Sequence, residues 1–417
     1  MEIRRDIYLD KLISKKHNKL IKVITGIRRC GKSYLLFKLF RDHLVSAGIA
    51  ADHIIEMAFD LYENKAYRDP ELLFPHIKGL IKDQEMHYVL LDEVQLLGDF
   101  EAVLNSLARM QNVDVYVTGS NAKFLSKDII TEFRGRGDEV PMHPLTFAEF
   151  MSAYTGDVNS GWREYVLYGG IPLVLQFSTP DQKVDFLKNL FEETYVSDIV
   201  GRHNVRNKSE LDELLNIIAS AIGSLTNPNK LSATFRSVKK KAISPNTIKK
   251  YIGYFEDSFL IDSAQRYDIK GKRYIDTPLK YYFTDLGLRN ARLNFRQVEE
   301  THAMENIIFN ELKVRGYNVD VGVVTSNEVS ETGNNVRKQL EIDFVCNKGS
   351  KRYYIQSALR LTSAAKQRQE QRSLLTIQDG FKKIIITKDA LAPLYNDDGI
   401  LIMSIFDFLL NENSLEI

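Results

Sequence analysis

Residues 26–33 read Gly-Ile-Arg-Arg-Cys-Gly-Lys-Ser, the GxxxxGK[ST] spacing of a phosphate-binding loop. Glycines at both ends let consecutive backbone N–H groups curl around phosphate oxygens. Gly26, Ile27, Arg28, Arg29, Cys30, Gly31, Lys32, Ser33 and Tyr34 are therefore the candidate nucleotide-binding residues. Lys32 is placed to reach the β- and γ-phosphates, and the Ser33 hydroxyl to ligate Mg²⁺. A second pair of reactive groups, Asp92-Glu93, closes the apolar run Tyr88-Val-Leu-Leu91. Asp92 suits the shell of the same Mg²⁺, and Glu93 suits a base that orients and polarises attacking water. Ser120 and Asn121 close a third apolar run, 113–118, where each fits either a γ-phosphate contact or a helix N-cap. Arg134 and Arg136, set among glycines, fit either neutralisation of transition-state charge or an ordinary salt bridge.

Such groups converge only if a sheet brings them to one edge. The runs 20–25, 54–59, 88–93 and 113–118 read as strands and 34–40 and 70–84 as helices, which predicts an α/β sheet with these loops at its strands' carboxyl ends. At 417 residues the chain exceeds what one hydrophobic core usually serves. Lys plus Arg, 56, nearly balance Asp plus Glu, 55, so bulk charge gives no argument for nucleic acid. Cys30 and Cys346 form no metal-spaced pair, which fits a reducing cytoplasm, and Cys30 reads as a small residue at a variable loop position. No apolar stretch approaches bilayer length and the opening MEIRRDIYLD lacks a signal-peptide core, so the expectation is a cytoplasmic protein without a membrane partner.

The motifs GIRRCGKS, LLDEVQ, VTGSNAKFLSKDI, RGR, PLTFAEF and YGGIP together resemble the prokaryotic AAA+ ATPases that carry a C-terminal, nuclease-like domain of unknown function, over nearly the whole chain. The resemblance implies an AAA+ P-loop ATPase core using ATP and Mg²⁺, with Glu93 as catalytic acid, Asn121 or Ser120 as sensor, and Arg136 as the arginine that meets the phosphate, in its own subunit or a neighbour's. A homo-oligomer is implied with it. The core is expected over 1–155 and a helical lid over 156–205, where Arg163 and Arg202 fit either a second sensor or a solvated surface.

Residues 206–292 read as three helices followed by two strands around a basic turn, the order of a winged helix-turn-helix. Asn246, Thr247, Lys249 and Lys250 on its third helix, with Lys239-Lys240-Lys241 before it, suit contacts to double-stranded DNA; packing against the ATPase or a protein partner is the rival reading. Residues 293–417 resemble the PD-(D/E)XK, restriction-endonuclease-like core, with Glu305 on a helix and Asp343 on a strand. Gln356 and Ala358 stand where that chemistry requires an acid and a lysine. An amide binds hard cations less strongly than a carboxylate, and a methyl group carries no charge, so an inactive nuclease-like domain is expected. Three functions follow: an ATPase coupled to these modules, a nucleotide-gated regulatory or defence switch with little turnover, and a metal-dependent nuclease.

Overall fold

The structure is a computed structural model, and it describes residues 2–417 except 120–132, 134, 240–241, 297, 330–334 and 391. The chain parts into two compact units: 1–144 with 257–259, and 145–256 with 260–417.

The first unit is built on a parallel sheet of β1 (Ile21–Thr25), β2 (Ile54–Ala58), β3 (His87–Asp92), β4 (Val113–Thr118) and β5 (Gly137–Pro141), in the order β2-β3-β4-β1-β5. Every residue of β1, β3 and β4 is buried, as apolar runs covered on both faces should be. Even Lys22 in β1 is inside, its ammonium paired with the Asp114 carboxylate on β4. Burial lowers the Lys22 pKa, and the bonded Asp114 opposes that shift. Helices Pro70–Leu80 and Phe100–Leu107 supply Leu73, Ile77, Phe100, Leu104 and Leu107 to the core over the sheet. The Asp69 side chain caps the first of them by accepting from Glu71 N–H, and proline follows at its first position.

The second unit carries helices Lys208–Ser220, Pro228–Lys239 and Pro245–Asp257, then the antiparallel hairpin of β6 (Ile261–Asp268) and β7 (Arg273–Phe283). The strand order is β12-β13-β11-β10-β9-β8-β6-β7, the remaining strands being β8 (Asn318–Val329), β9 (Asn335–Lys348), β10 (Lys351–Ala358), β11 (Lys382–Thr387), β12 (Leu394–Tyr395) and β13 (Leu401–Ser404). The hairpin does not stand apart as a module ending near residue 292. Arg266, Tyr267 and Asp268 pair in parallel with Val321, Gly322 and Val323, so β6 and β7 extend the same sheet as the last segment.

The YGGIP stretch has a packing reason in this unit. Asp285, buried, accepts from the Gly170 N–H at 2.7 Å and caps the next helix by accepting from Leu288 N–H. A Cβ on Gly169 would lie 2.3 Å from that carboxylate, and one on Gly170 2.3 Å from the Leu145 carbonyl oxygen, so no larger residue fits either place. Burial pushes the Asp285 carboxyl up to about 6.

Candidate functional site

Because β1, β3 and β4 run parallel and adjacent, their carboxyl ends place the phosphate loop, Asp92-Glu93 and Thr118 along one edge. The loop is held open by its backbone. Gly26 has φ +137° and Gly31 φ +103°, conformations that side chains resist, and a Cβ on Gly26 would stand 2.0 Å from the Met142 carbonyl oxygen. Arg29 between them also has positive φ, 61°. Behind the loop lies Arg5, 2 % exposed, whose guanidinium donates to the Cys30 carbonyl at 3.0 Å and the His143 carbonyl at 2.6 Å. Cys30 itself is buried and packs its Sγ 3.7 Å from the Met142 carbonyl oxygen. Arg28 is half-buried and Arg29 exposed; Ser33 and Tyr34 continue into the helix Lys32–Tyr34.

Lys32, 5 % exposed, donates to the carbonyls of Gly26 at 2.9 Å and Ile27 at 3.0 Å, which points its ammonium across the loop's mouth. Ser33 is exposed, and its hydroxyl helps favour the charged form of Asp92. Burial raises the Asp92 carboxyl above the ordinary aspartate range, while hydrogen bonds from Thr118 and Ser33 pull the other way. Thr118 Oγ1 also accepts from the Glu93 N–H at 3.1 Å, so one hydroxyl fixes both acidic residues. Glu93 sits at φ +52°, a conformation non-glycine residues adopt at a cost, and its carboxylate accepts from Gln95 Nε2. Two hard oxygen donors side by side and a lysine spanning a curled loop fit a magnesium–nucleotide phosphate pair: Ser33 and Asp92 would hold the metal, and the loop with Lys32 the phosphates.

Arg136 is not brought to this edge. Gly137 pairs with Ile21, and the Ile21 N–H donates to the Arg136 carbonyl at 2.7 Å, which sets Arg136 at the amino end of β1. The five residues of β1, about 17 Å at about 3.3 Å each, separate it from the phosphate loop. There it lines a cavity of about 380 Å³ with Asp99, Asn105 and Arg109. Ser120, Asn121, Arg134, Lys240 and Lys241 lie outside the described residues. Arg163 donates to Ser160 Oγ on its own helix.

In the second unit the structure brings Glu305 and Asp343 together, with a partner the sequence reading did not name. Lys280 on β7, 3 % exposed, places its Nζ 2.9 Å from Glu305, 2.8 Å from Glu341 and 3.4 Å from Asp343. Tyr282 donates to Glu305 at 2.7 Å, and the Ser357 N–H to Asp343 at 2.9 Å. Burial pushes the Glu305 carboxyl up to about 7, against the pull of Lys280. Ala358 packs in the apolar core, and the Gln356 side-chain oxygen is buried without a hydrogen-bond partner among the described residues. On the helix Pro245–Asp257, Asn246, Lys249 and Lys250 are exposed, while Ile248, Tyr251, Ile252 and Phe255 are buried.

Residues 18–151 match the family model of an AAA domain, and 159–299 match that of a domain of unknown function. An uncharacterized protein of Haemophilus influenzae is 35 % identical over 98 % of this chain and 98 % of its own length. One from Methanocaldococcus jannaschii is 27 % identical over 95 % of this chain and 86 % of its own. The solved structure of a Walker-type ATPase of Pyrococcus abyssi, 15 % identical, aligns over 70 % of this chain and 96 % of its own with a TM-score of 0.51, a likeness of fold. With the phosphate loop and the acidic strand end already at one sheet edge, residues 18–151 are matched as an AAA domain, and the chain as a whole belongs to one family with the Haemophilus influenzae protein.

Proposed function

We propose that the protein binds ATP with Mg²⁺ at the loop 26–33 and hydrolyses it, using the nucleotide state to act on its second unit. The observation that carries this is Lys32 held across the curled loop at the same sheet edge as Asp92 and Glu93. Magnesium supplies neutralisation of phosphate charge when bound. The chain's own groups do the rest. Lys32 exchanges its two carbonyl acceptors for phosphate oxygens, and the backbone N–H groups between Gly26 and Gly31 hold the remaining charge. Glu93, oriented by Gln95 and by its N–H bond to Thr118, takes up the proton side of water attack. Arg136 stands too far from its own loop to meet that phosphate, which leaves it a nucleotide held by a second copy of the chain or an ordinary salt bridge. Lys32→Ala tests the assignment: ATP binding should vanish in equilibrium titration, and retained wild-type affinity would overturn it.

For the second unit we read an inactive nuclease-like module preceded by a winged helix that contacts duplex DNA. Two observations support this reading: a lysine ammonium stands among Glu305, Glu341 and Asp343, and Asn246, Lys249 and Lys250 are exposed on one helix.

A further inference from the structure

At the amino end of the first sheet, opposite the phosphate loop, three potential metal ligands meet. His53 immediately precedes β2, His87 opens β3, and Asp83 lies in the turn that leads into β3. Parallel pairing of Ile54 with Tyr88 carries the two histidines to neighbouring positions, and their ring centroids are 4.5 Å apart. His53 Nε2 lies 3.0 Å from Asp83 Oδ2, and one ligand atom from each of the three residues lies within 4.8 Å of the others. Asp83 is locked in its turn by the Glu85 N–H and by Asn112, which donates to its carbonyl at 2.9 Å.

His87 is fully buried. Its Nδ1 is 2.9 Å from the Glu85 carbonyl oxygen, an acceptor only, so Nδ1 carries the proton and Nε2 the lone pair. That Nε2 is buried and has no hydrogen-bond partner among the described residues. An imidazole with one nitrogen donating to a backbone carbonyl and a bare lone pair on the other is oriented as metal-ligating histidines are.

We propose that His53, Asp83 and His87 form a binding site for a divalent transition-metal ion of the zinc class, with water in a fourth position. Two imidazoles and one carboxylate favour such ions over calcium or magnesium, which take oxygen ligands. Bonds of about 2.0–2.2 Å around a tetrahedral ion set ligand atoms roughly 3.3–3.5 Å apart. The His53–Asp83 pair is near that spacing, and binding closes the rest as the exposed Asp83 carboxylate gives up its bond from the Glu85 N–H. The ion would tie the starts of β2 and β3 to the turn between them, a full strand length from Ser33 and Asp92.

Cobalt(II) is the probe, added to the metal-stripped, nucleotide-free full chain. One equivalent should produce the visible ligand-field bands of a four-coordinate ion and raise Tm, and zinc should displace it. His53→Ala and Asp83→Asn, both at the rim of the site, should weaken binding by at least about tenfold while keeping the wild-type circular dichroism and ATP binding. Asp92→Asn should leave the cobalt spectrum intact. Absence of the bands in the wild type, equal affinity in both rim variants, or loss of the bands in Asp92→Asn overturns the proposal, and the last two do so without touching the ATP-site assignment.

Discussion

Replacing Lys280 with methionine would leave Glu305, Glu341 and Asp343 around a side chain of similar length with no charge to offer. At an effective dielectric of about 20, contacts of this length each supply roughly 5–6 kcal/mol of gross attraction. Desolvation of the ammonium and repulsion among the carboxylates cancel most of that, and removing one partner from a buried ion cluster costs about 3–5 kcal/mol. Glu341 is the least buried of the three acids, so its share is screened and the lower end, about 3 kcal/mol, is expected. Trp162, the chain's one tryptophan, is buried in the same unit and reports its unfolding by fluorescence. With a urea slope of about 3 kcal/mol per molar, the midpoint should fall by about 1 M. Measured at about pH 9, where Glu305 carries charge, adding Glu305→Gln removes one of the repelling charges and should restore about 1–2 kcal/mol. A single variant within about 0.5 kcal/mol of wild type, or a double variant no better than the single, would refute the picture of Lys280 as the cation that holds this cluster.

Three further outcomes follow from the same geometry. Burial raises Glu305 from 4.5 to about 7, so its neutral form is favoured in the fold; its contribution is full below 4.5 and falls as pH rises through about 7. Glu305→Gln should therefore gain urea midpoint relative to wild type as pH rises across that window, and a difference constant with pH contradicts the assignment. Thr118→Val removes the hydroxyl shared by Asp92 and the Glu93 N–H, which should cost about 1–3 kcal/mol in thermal unfolding and slow turnover more than it weakens ATP binding. If the exposed Lys249 and Lys250 contact duplex phosphates, exchanging both for alanine should lower the salt dependence of DNA binding by about two counterions; an unchanged slope removes that helix from the interface.

The phosphate loop and the acidic strand end were legible because their constraints are local: a few consecutive residues set backbone curl, metal donors and strand burial together. What surrounds them was not. Arg5 reaches the Cys30 carbonyl across 25 positions, and Thr118 reaches Asp92 across 26, so neither contact leaves a pattern in the sequence. Thr118 sits just before Ser120 and Asn121, the residues expected to sense nucleotide, and the strand direction alone decides that its hydroxyl turns toward β3. Gln95 lay inside the quoted LLDEVQ motif, yet its bond to Glu93 depends on the positive φ at Glu93. Glu305 and Asp343 were readable as a candidate pair, and the basic group between them was not. Its identity was hidden because Lys280 comes from a hairpin that the helix order assigned to a separate module, whereas β6 pairs with β8.

We propose above that one edge of the first sheet binds ATP and breaks its terminal phosphate bond with Glu93 managing the water. Paired equilibrium binding and steady-state phosphate release on Glu93→Gln test it most directly. The amide keeps the size and the Gln95 contact but cannot accept the proton, so ATP affinity should stay near wild type while turnover falls by about a hundredfold or more. Phosphate release at the wild-type rate in that variant would contradict the account.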